Sequence, residues 1–199
     1  MLGEGYAGVL ERDGWAPYRR FQNATHQSCL AHLLRRCGEL LSDAAAGQAK
    51  TPHAVRRLLE HALALRADRD TGALDAGQLA AEVQALEAAV DRLVAGATRY
   101  PPNHRLLDHL ARERDHLFTF LRAPGVQATN WRAEQAIRPA VVTRKSWGGN
   151  RTWAGAEVWQ ALTSVVGTAS QQARDPVELL TCLLRAPTPV VADLAIPRR

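Results

Sequence analysis

The apolar positions in the first thirty residues indicate short strands. "YAGVLER", residues 6–12, is apolar at its centre and predicts a strand that runs into Asp13. "APYRRF" predicts a single helical turn, and "THQSCL" predicts a second strand, although a helix would also fit the latter residues. The beginning of the chain therefore contributes a small β portion.

From Ala31 onward the apolar spacing is helical. "AHLLRRCGELLSDAAAG" is rich in leucine and predicts a helix that ends at Gly47. Residues 52–96 predict a helical hairpin joined at Gly72–Gly77, with apolar residues at alternating spacings of four and three. We interpret it as an interaction or spacer hairpin that projects from the core. Its apolar positions are Val55, Leu58, Ala62 and Leu65 on the first helix, and Leu79, Val83, Leu86, Val90 and Leu93 on the second.

Proline divides the next helical segment from the hairpin. Pro101 and Pro102 in "YPPNH" cannot continue a helix, so the hairpin must end before them. A further helix is predicted over roughly residues 103–122 and is ended by "APG". Its apolar side consists of Leu106, Leu110, Leu117 and Leu121.

Three more helices are predicted in the last seventy residues. "WRAEQAIR" predicts one that Asn130 caps and that Pro139 ends or kinks. "TWAGAEVWQALTSVVGTASQQA" predicts an amphipathic helix, and "DPVELLTCLLR" a last helix with Asp175 as cap. The tail from 188 to 199 is rich in proline and is expected to be loose. The apolar face of the amphipathic helix comprises Val158, Leu162, Val165 and Ala169.

Composition narrows the functional classes only a little. The 199 residues are enough for one domain, and the net charge of +5 is compatible with nucleic-acid binding without establishing it. The segment "MLGEGYAGVLERDGW" has no long apolar run, and no run approaches the roughly 20 residues of a membrane span, so neither a secretory leader nor a membrane partner is expected. The three cysteines, Cys29, Cys37 and Cys182, indicate reduced thiols in a cytoplasmic protein.

Two carboxylates are candidates for metal chemistry. Asp13 follows a predicted strand, where a sheet can hold its oxygens rigidly toward Mg²⁺; the alternative is a simple Asp-Gly turn with Gly14. Glu134 lies about one turn into its predicted helix, and its alternative role is an ion pair with Arg138, four residues later.

The residues that follow Glu134 are basic and aromatic. Arg144, Lys145 and Arg151 could bind phosphates while Trp147 stacks on a base. Alternatively, these residues could form a solvated loop. A zinc site in "HQSCLAHLLRRC" is not expected, because His26, Cys29, His32 and Cys37 on one continuous helix would not converge on a tetrahedron.

Four segments together resemble the bacterial insertion-sequence sixty-six family of DDE transposases. "DGWAPYRRF" is similar to the family's second-aspartate motif, and "SCLAHLLRR" to its Cys-x-x-His segment. "NWRAEQAIRPAVVTRKSW" is similar to its long and specific glutamate motif. "GTASQQARDPVELLTCLLRAP" is similar to its C-terminal ending. The matches are collinear over nearly the whole chain.

The resemblance implies a fold, a site and a substrate. The fold would be mainly α with a small β portion: an incomplete RNase H-like α/β core with a helical insertion at about 45–125, within a domain at 1–187. Asp13 and Glu134 would be the second and third catalytic acids and would bind Mg²⁺ or Mn²⁺. The DNA-binding residues would be Arg138, Arg144, Lys145 and Arg151. Cys29, His32 and Asn130 would lie next to the metal ligands without binding the metal themselves.

The chain departs from the family pattern at the first acid. In the family, the first catalytic acid lies on a strand well upstream of the second catalytic acid. In this sequence, the acidic residues before Asp13 are Glu4 and Glu11. We therefore expect the C-terminal part of a catalytic domain, inactive alone, whose partners are transposon-end DNA and the missing N-terminal half or other element-encoded proteins. The alternative is a non-catalytic helical module that binds DNA or protein.

Overall fold

The computed structural model describes residues 3, 5–45 and 47–188 and is mainly helical. The chain divides into two compact units, the first ending at Trp131 and the second beginning at Arg132. The mainly helical class with a small β portion is confirmed. Residues 189–199, which make up nearly all of the predicted loose tail, lie outside the described residues.

The first unit opens with a two-stranded parallel sheet. Strand β1 spans Val9–Arg12 and strand β2 spans Thr25–Ser28, with Val9 opposite Thr25 and Arg12 opposite Ser28. A 3-10 helix, Ala16–Arg20, lies in the connection, which is about as short as a parallel crossover can be. Both predicted strands and the predicted helical turn are therefore confirmed.

Helix α1 spans Leu30–Ser42 and is shorter than predicted. The expectation that it continues to Gly47 is wrong, because the chain turns at Asp43, whose φ of −103° and ψ of 1° leave the helical region. The hydroxyl of Ser42 also donates to the carbonyl of Glu39 at 2.8 Å, and such a bond competes with continuation of the helix. Gly47 has a φ of +84° and lies in the turn that follows.

The predicted hairpin exists as helix α2, Lys50–Asp70, and helix α3, Ala76–Val94. The carboxylate of Asp75 begins α3 by accepting from the backbone of Gln78, whose side chain accepts from the backbone of Asp75 in return. Seven of the nine predicted apolar positions are buried, namely Val55, Leu58, Ala62, Leu65, Val83, Leu86 and Val90.

The expectation that the hairpin projects from the core is wrong, because the hairpin supplies a large part of the core. Its buried side chains belong to one hydrophobic cluster with Leu30 and Leu33 of α1 and with Phe118 and Phe120 from later in the chain. The spacing of its apolar residues specified two buried stripes, but it left open whether they pack only on each other or on other helices as well.

The predicted helix over 103–122 is interrupted. Helix α4 spans Pro101–Glu113, a 3-10 turn follows at Arg114–His116, and a short helix α5 spans Thr119–Arg122. The buried side chain of Gln27 forms hydrogen bonds with the backbone where the helix is interrupted. Its amide nitrogen donates to the carbonyl of Leu117 at 3.0 Å, and its oxygen accepts from the N–H of Phe120 at 2.8 Å. All four predicted leucines are nevertheless buried.

The second unit contains helix α6, Trp131–Trp147, apart from its first residue, helix α7, Trp153–Gln171, and helix α8, Pro176–Arg185. Of the two predicted effects of Pro139, an end to α6 is wrong, because Pro139 lies inside the helix; a kink there stays a prediction. Pro139 has no N–H to donate to the carbonyl of Gln135. The predicted core face of α7 is largely exposed, since Val158 is 59% and Leu162 is 43% accessible and only Ala169 is buried.

Candidate catalytic and DNA-binding residues

Asp13 lies at the carboxyl end of β1 with an exposed carboxylate. Its Oδ1 accepts a hydrogen bond from the backbone N–H of Trp15 at 3.0 Å, which fixes the carboxylate in a local turn. The next residue, Gly14, has a φ of +83° that glycine adopts without strain. The Asp-Gly turn is therefore present, and it leaves the carboxylate accessible to solvent.

The turn rests directly on α4. A Cβ atom added to Gly14 would lie 3.0 Å from Nε2 of His109 and 3.9 Å from Oε1 of Glu113. The missing side chain thus allows the backbone after Asp13 to approach α4 closely.

Beneath the turn, Arg12 and Glu113 form a buried ion pair. Arg12 Nη1 lies 2.7 Å from Glu113 Oε2, and the two side chains are 2% and 0% exposed. Ser28 of β2 donates to the same carboxylate oxygen, and Arg19 Nη2 lies 3.3 Å from the other. Both strands are therefore tied to the end of α4.

A histidine completes this network. Nε of Arg12 donates to Nδ1 of His26 at 2.9 Å, so His26 must carry its proton on Nε2, which donates to the carbonyl of Phe21 at 2.9 Å. The ring of His116 lies 5.1 Å from that of His26. The buried positive charge of Arg12 is thereby balanced by Glu113 and held in place by His26.

Burial and charge shift the pKa values around this network. Burial opposes ionisation of Glu113, but the hydrogen bond from Ser28 and the charge of Arg12 outweigh it, so the pKa of Glu113 lies below its usual value. The pKa values of His109 and His116 are also lowered, in both cases mainly by burial. The network is thus built for a carboxylate anion and neutral histidines.

Glu113 was not among the predicted site residues, although its position in the sequence carries a signal. Glu113 lies on the same side of the segment as Leu106, Leu110 and Leu117, at the spacing of a core position. A charged residue on an apolar stripe indicates a buried partner of opposite charge.

Glu134 lies in the first turn of α6, in the second unit, and is partly buried. The N-terminal turn of a helix favours a negative charge, because the backbone N–H groups there have no carbonyl partners. Asp13 and Glu134 thus belong to different units of the chain.

The predicted DNA-binding residues are all on the surface of the second unit. Arg138, Arg144, Lys145 and Arg151 are exposed. Arg144 and Lys145 line an open cavity of about 500 Å³ together with Gly148, Gly149 and Asn150. The two glycines have φ values of +81° and +87°, which glycine adopts without strain, and they lie in the connection between α6 and α7. Trp147, half exposed, contacts Trp159 with a ring-centroid distance of 4.6 Å.

Of the three predicted supporting residues, Cys29 and Asn130 are in contact with each other. Cys29 is buried at the start of α1, and its sulfur accepts from the N–H of Asn130 at 3.4 Å. Oδ1 of Asn130 is buried and has no hydrogen-bond partner within the described residues, so it does not cap α6 as predicted. His32 is partly buried in α1.

Of the two acids that precede Asp13, the structure describes only Glu11. Oε1 of Glu11 accepts from the backbone N–H of Gln127 at 2.6 Å, which assigns it a structural contact. Glu4 lies outside the described residues. Over residues 5–45 and 47–188, no three histidine, cysteine, aspartate or glutamate side chains are grouped so as to hold a metal ion.

Comparison with known proteins identifies the family. No described helix is both long and apolar enough to cross a membrane. No curated protein and no solved structure matches the chain. The model of the transposase IS66 family matches residues 1–158, which include both acid motifs and the basic segment after Glu134. The chain therefore belongs to the IS66 family of transposases, whose role is DNA transposition.

Proposed function

We propose that the protein acts in transposition through metal-dependent cleavage and joining of DNA strands, with Asp13 and Glu134 as the second and third acids of a DDE site. The observation that carries this proposal is the placement of Asp13. Its accessible carboxylate ends a parallel strand, in a turn fixed by Trp15 and supported by α4. Such rigidity suits a group that must hold a metal in one geometry.

The donor chemistry of the two acids fits Mg²⁺ or Mn²⁺. Carboxylate oxygens are the hard ligands that these ions prefer. When bound, the ions would activate a water or a 3′-hydroxyl and stabilise the leaving oxygen of the phosphodiester. Glu11 is not proposed as a ligand, because its Oε1 accepts a hydrogen bond from the N–H of Gln127. We propose that Asp13 and Glu134 belong to an RNase H-like core.

The chain's own residues would position the DNA. Arg138, Arg144, Lys145 and Arg151 would contact phosphates, and the exposed face of Trp147 would contact a sugar or base. In this proposal α6 carries Glu134 at one end and Arg144 and Lys145 at the other, so one helix links the catalytic acid to phosphate binding.

Binding of Mn²⁺ tests the shared metal site directly. If Asp13 and Glu134 bind the same ions, Asp13→Asn and Glu134→Gln should each weaken Mn²⁺ binding, measured by electron paramagnetic resonance, by about tenfold or more. The matched controls Asp43→Asn and Glu157→Gln change exposed acids outside both motifs and should bind Mn²⁺ as the parent does.

The distance between the two acids provides a second criterion. Their carboxyl groups should lie within roughly 10 Å, because paired metals are spaced about 3.5–4 Å apart. If neither substitution changes Mn²⁺ binding, the assignment of both acids is wrong, and a non-catalytic DNA-binding role becomes the better explanation.

A further inference from the structure

The connection between β1 and β2 holds an exposed aromatic ring close to Asp13 in the chain. Trp15 is 61% exposed, and its backbone N–H is the group that donates to Oδ1 of Asp13 at 3.0 Å. The ring of Trp15 lies against that of Tyr18, edge to face, with a centroid distance of 5.4 Å. Most of the Trp15 side chain therefore contacts solvent and can contact a partner.

An arginine of the same connection adds positive charge next to the turn. Arg19 is 46% exposed, and its Nη2 lies 3.3 Å from Oε1 of Glu113. A Cβ atom on Gly14 would lie 3.9 Å from that same oxygen, so Arg19 and the turn both adjoin one carboxylate. Glu113 carries a single negative charge and also faces Arg12 at 2.7 Å. The charge of Arg19 is therefore only partly neutralised.

Two further arginines lie near His109, the residue of α4 that lies against the turn. Burial is the main cause of the lowered pKa of His109, and the charge of Glu113 opposes it. The charges of Arg36, Arg112 and Arg19 lower that pKa further, so these three guanidinium groups lie around one ring. Arg112 is exposed and Arg36 is partly exposed, and neither forms an ion pair with another described residue.

An accessible tryptophan beside arginines that lack full counter-charges fits the chemistry of unpaired DNA. Guanidinium groups bind phosphates, and the face of an aromatic ring stacks on a nucleobase. In an intact duplex each base face is covered by the neighbouring base pair, so a protein ring can reach it only if the base is unstacked. A single strand offers phosphates and base faces together.

We propose that the surface formed by Trp15, Arg19, Arg36 and Arg112 binds unpaired DNA, with Trp15 stacked on a base and the arginines on the adjoining phosphates. The inference deepens the proposed function and rests on it in one respect, namely that the bound strand would run past the carboxylate of Asp13. All four residues lie in the first unit, so this contact is separate from the basic residues of the second unit.

Photochemical cross-linking locates the stacked base. A single-stranded oligonucleotide that contains iododeoxyuridine is irradiated with the whole chain, in a buffer with a chelator and no divalent metal. Mass spectrometry then identifies the residue to which the base is attached. The cross-link should map to Trp15, because a ring stacked on the modified base is the group closest to it. The same base in the interior of a duplex should give a yield at least about fivefold lower.

Substitution of Trp15 measures what the ring contributes to affinity. The parent for this series is the whole chain with Arg144→Ala and Lys145→Ala, which weakens the contacts proposed for the second unit. Trp15→Ala should raise the Kd for the single strand about fivefold or more, measured by fluorescence anisotropy, whereas Trp15→Phe keeps a ring and should stay within about twofold. Trp153→Ala removes another tryptophan, 87% exposed and outside this surface, and should leave the Kd within about twofold.

A pair of arginine substitutions tests the phosphate contacts. Arg19→Ala with Arg112→Ala should lower the cross-link yield at Trp15 at least about fivefold, because two phosphate contacts are lost. Arg57→Ala with Arg92→Ala removes the same charge from exposed positions on α2 and α3 and should leave the yield within about twofold. The unfolding temperatures of both double variants should match that of the parent, because all four side chains are exposed.

The absence of divalent metal separates this surface from the metal site. A cross-link to Trp15 in a protein whose Asp13 and Glu134 do not bind Mn²⁺ would support the DNA contact and contradict the catalytic assignment. The inference is overturned if the cross-link maps only to residues outside the connection between β1 and β2, or if the duplex gives the same yield. It is also overturned if the tested and the control substitutions have equal effects.

Discussion

The guanidinium of Arg12 and the carboxylate of Glu113 lie 2.7 Å apart with almost no exposure to solvent. Arg12 is the last residue of β1, directly before Asp13, and Glu113 is the last residue of α4. A buried charge is tolerated only with a partner, so the end of the strand and the end of the helix depend on each other. The position of Asp13 is therefore set in part by a residue a hundred positions later in the chain.

Removal of Glu113 should unfold the first unit much more easily. In Glu113→Ala the charge of Arg12 stays buried without its partner, which typically costs about 3–5 kcal/mol. Urea denaturation followed by circular dichroism measures this loss. Asp91→Ala is the matched control, because Asp91 pairs with Arg114, the neighbour of Glu113, on the exposed surface. An exposed pair contributes little, so a similar loss in both variants would contradict the importance of the buried pair.

Stability should fall as the pH is lowered below about 6.5. The pKa values of His109 and His116 are lowered in the folded state, so below their ordinary pKa the unfolded chain binds more protons than the folded one. The lowered pKa of Glu113 adds a further loss at more acidic pH, as its carboxylate becomes protonated. The free energy of unfolding should therefore decrease from pH 7.5 to 5.

Substitution of both histidines tests the origin of that pH dependence. His109→Gln with His116→Gln removes the two groups with lowered pKa values and should flatten the slope between pH 6.5 and 5. The exposed His104 and His53 provide a control pair. A slope that responds equally to both pairs would show that the buried position of His109 and His116 is not its cause.

Gly14→Ala should destabilise the turn that carries Asp13. A φ of +83° costs an alanine about 1–2 kcal/mol, and the added Cβ would meet Nε2 of His109 at 3.0 Å. Thermal unfolding of Gly14→Ala, His109→Ala and the double variant separates the two causes. The double variant should recover the part due to the contact and retain the part due to the backbone. Strict additivity of the two single effects would mean that the contact is unimportant.

Local signals in the sequence predicted most helices and both strands. Asp175 caps α8 as predicted, and Pro176 lies at the first position of that helix. Each of these signals acts within one turn of the chain, so one sequence is enough to find it. The turn at Asp13 and Gly14 was likewise predictable from two adjacent residues.

Contacts distant in sequence explain what was missed. At the interruption between α4 and α5, the carbonyl of Leu117 and the N–H of Phe120 bond to the side chain of Gln27, which is some ninety residues earlier in the chain. The burial of Glu113 depends on Arg12 and Ser28 on the two strands. Apolar spacing reports which face of a helix is buried but not which distant polar group it meets.

Deletion of the hairpin should prevent the first unit from folding. We expected a projecting hairpin that could be excised, but Val55, Leu59, Val83 and Val90 are part of the main core. Replacing residues 52–96 by a short linker should abolish cooperative unfolding of the first unit, because α1 and α4 would lose the side chains that cover them. Hydrogen exchange resolved by residue measures this. Retained protection in α1 would show that the hairpin is dispensable after all.

The salt dependence of DNA binding should identify the phosphate contacts of the second unit. Each contact releases condensed counterions, so the logarithm of the binding constant falls with the logarithm of salt concentration by about 0.9 per phosphate on duplex DNA. Arg144 and Lys145 line one open cavity after α6. Their joint substitution by alanine should therefore flatten the slope by about two, as measured by fluorescence anisotropy at several salt concentrations. The pair Arg57→Ala and Arg105→Ala removes equal charge from the first unit and should leave the slope unchanged, whereas an equal change in both double variants would mean that net charge, and not this cavity, determines binding.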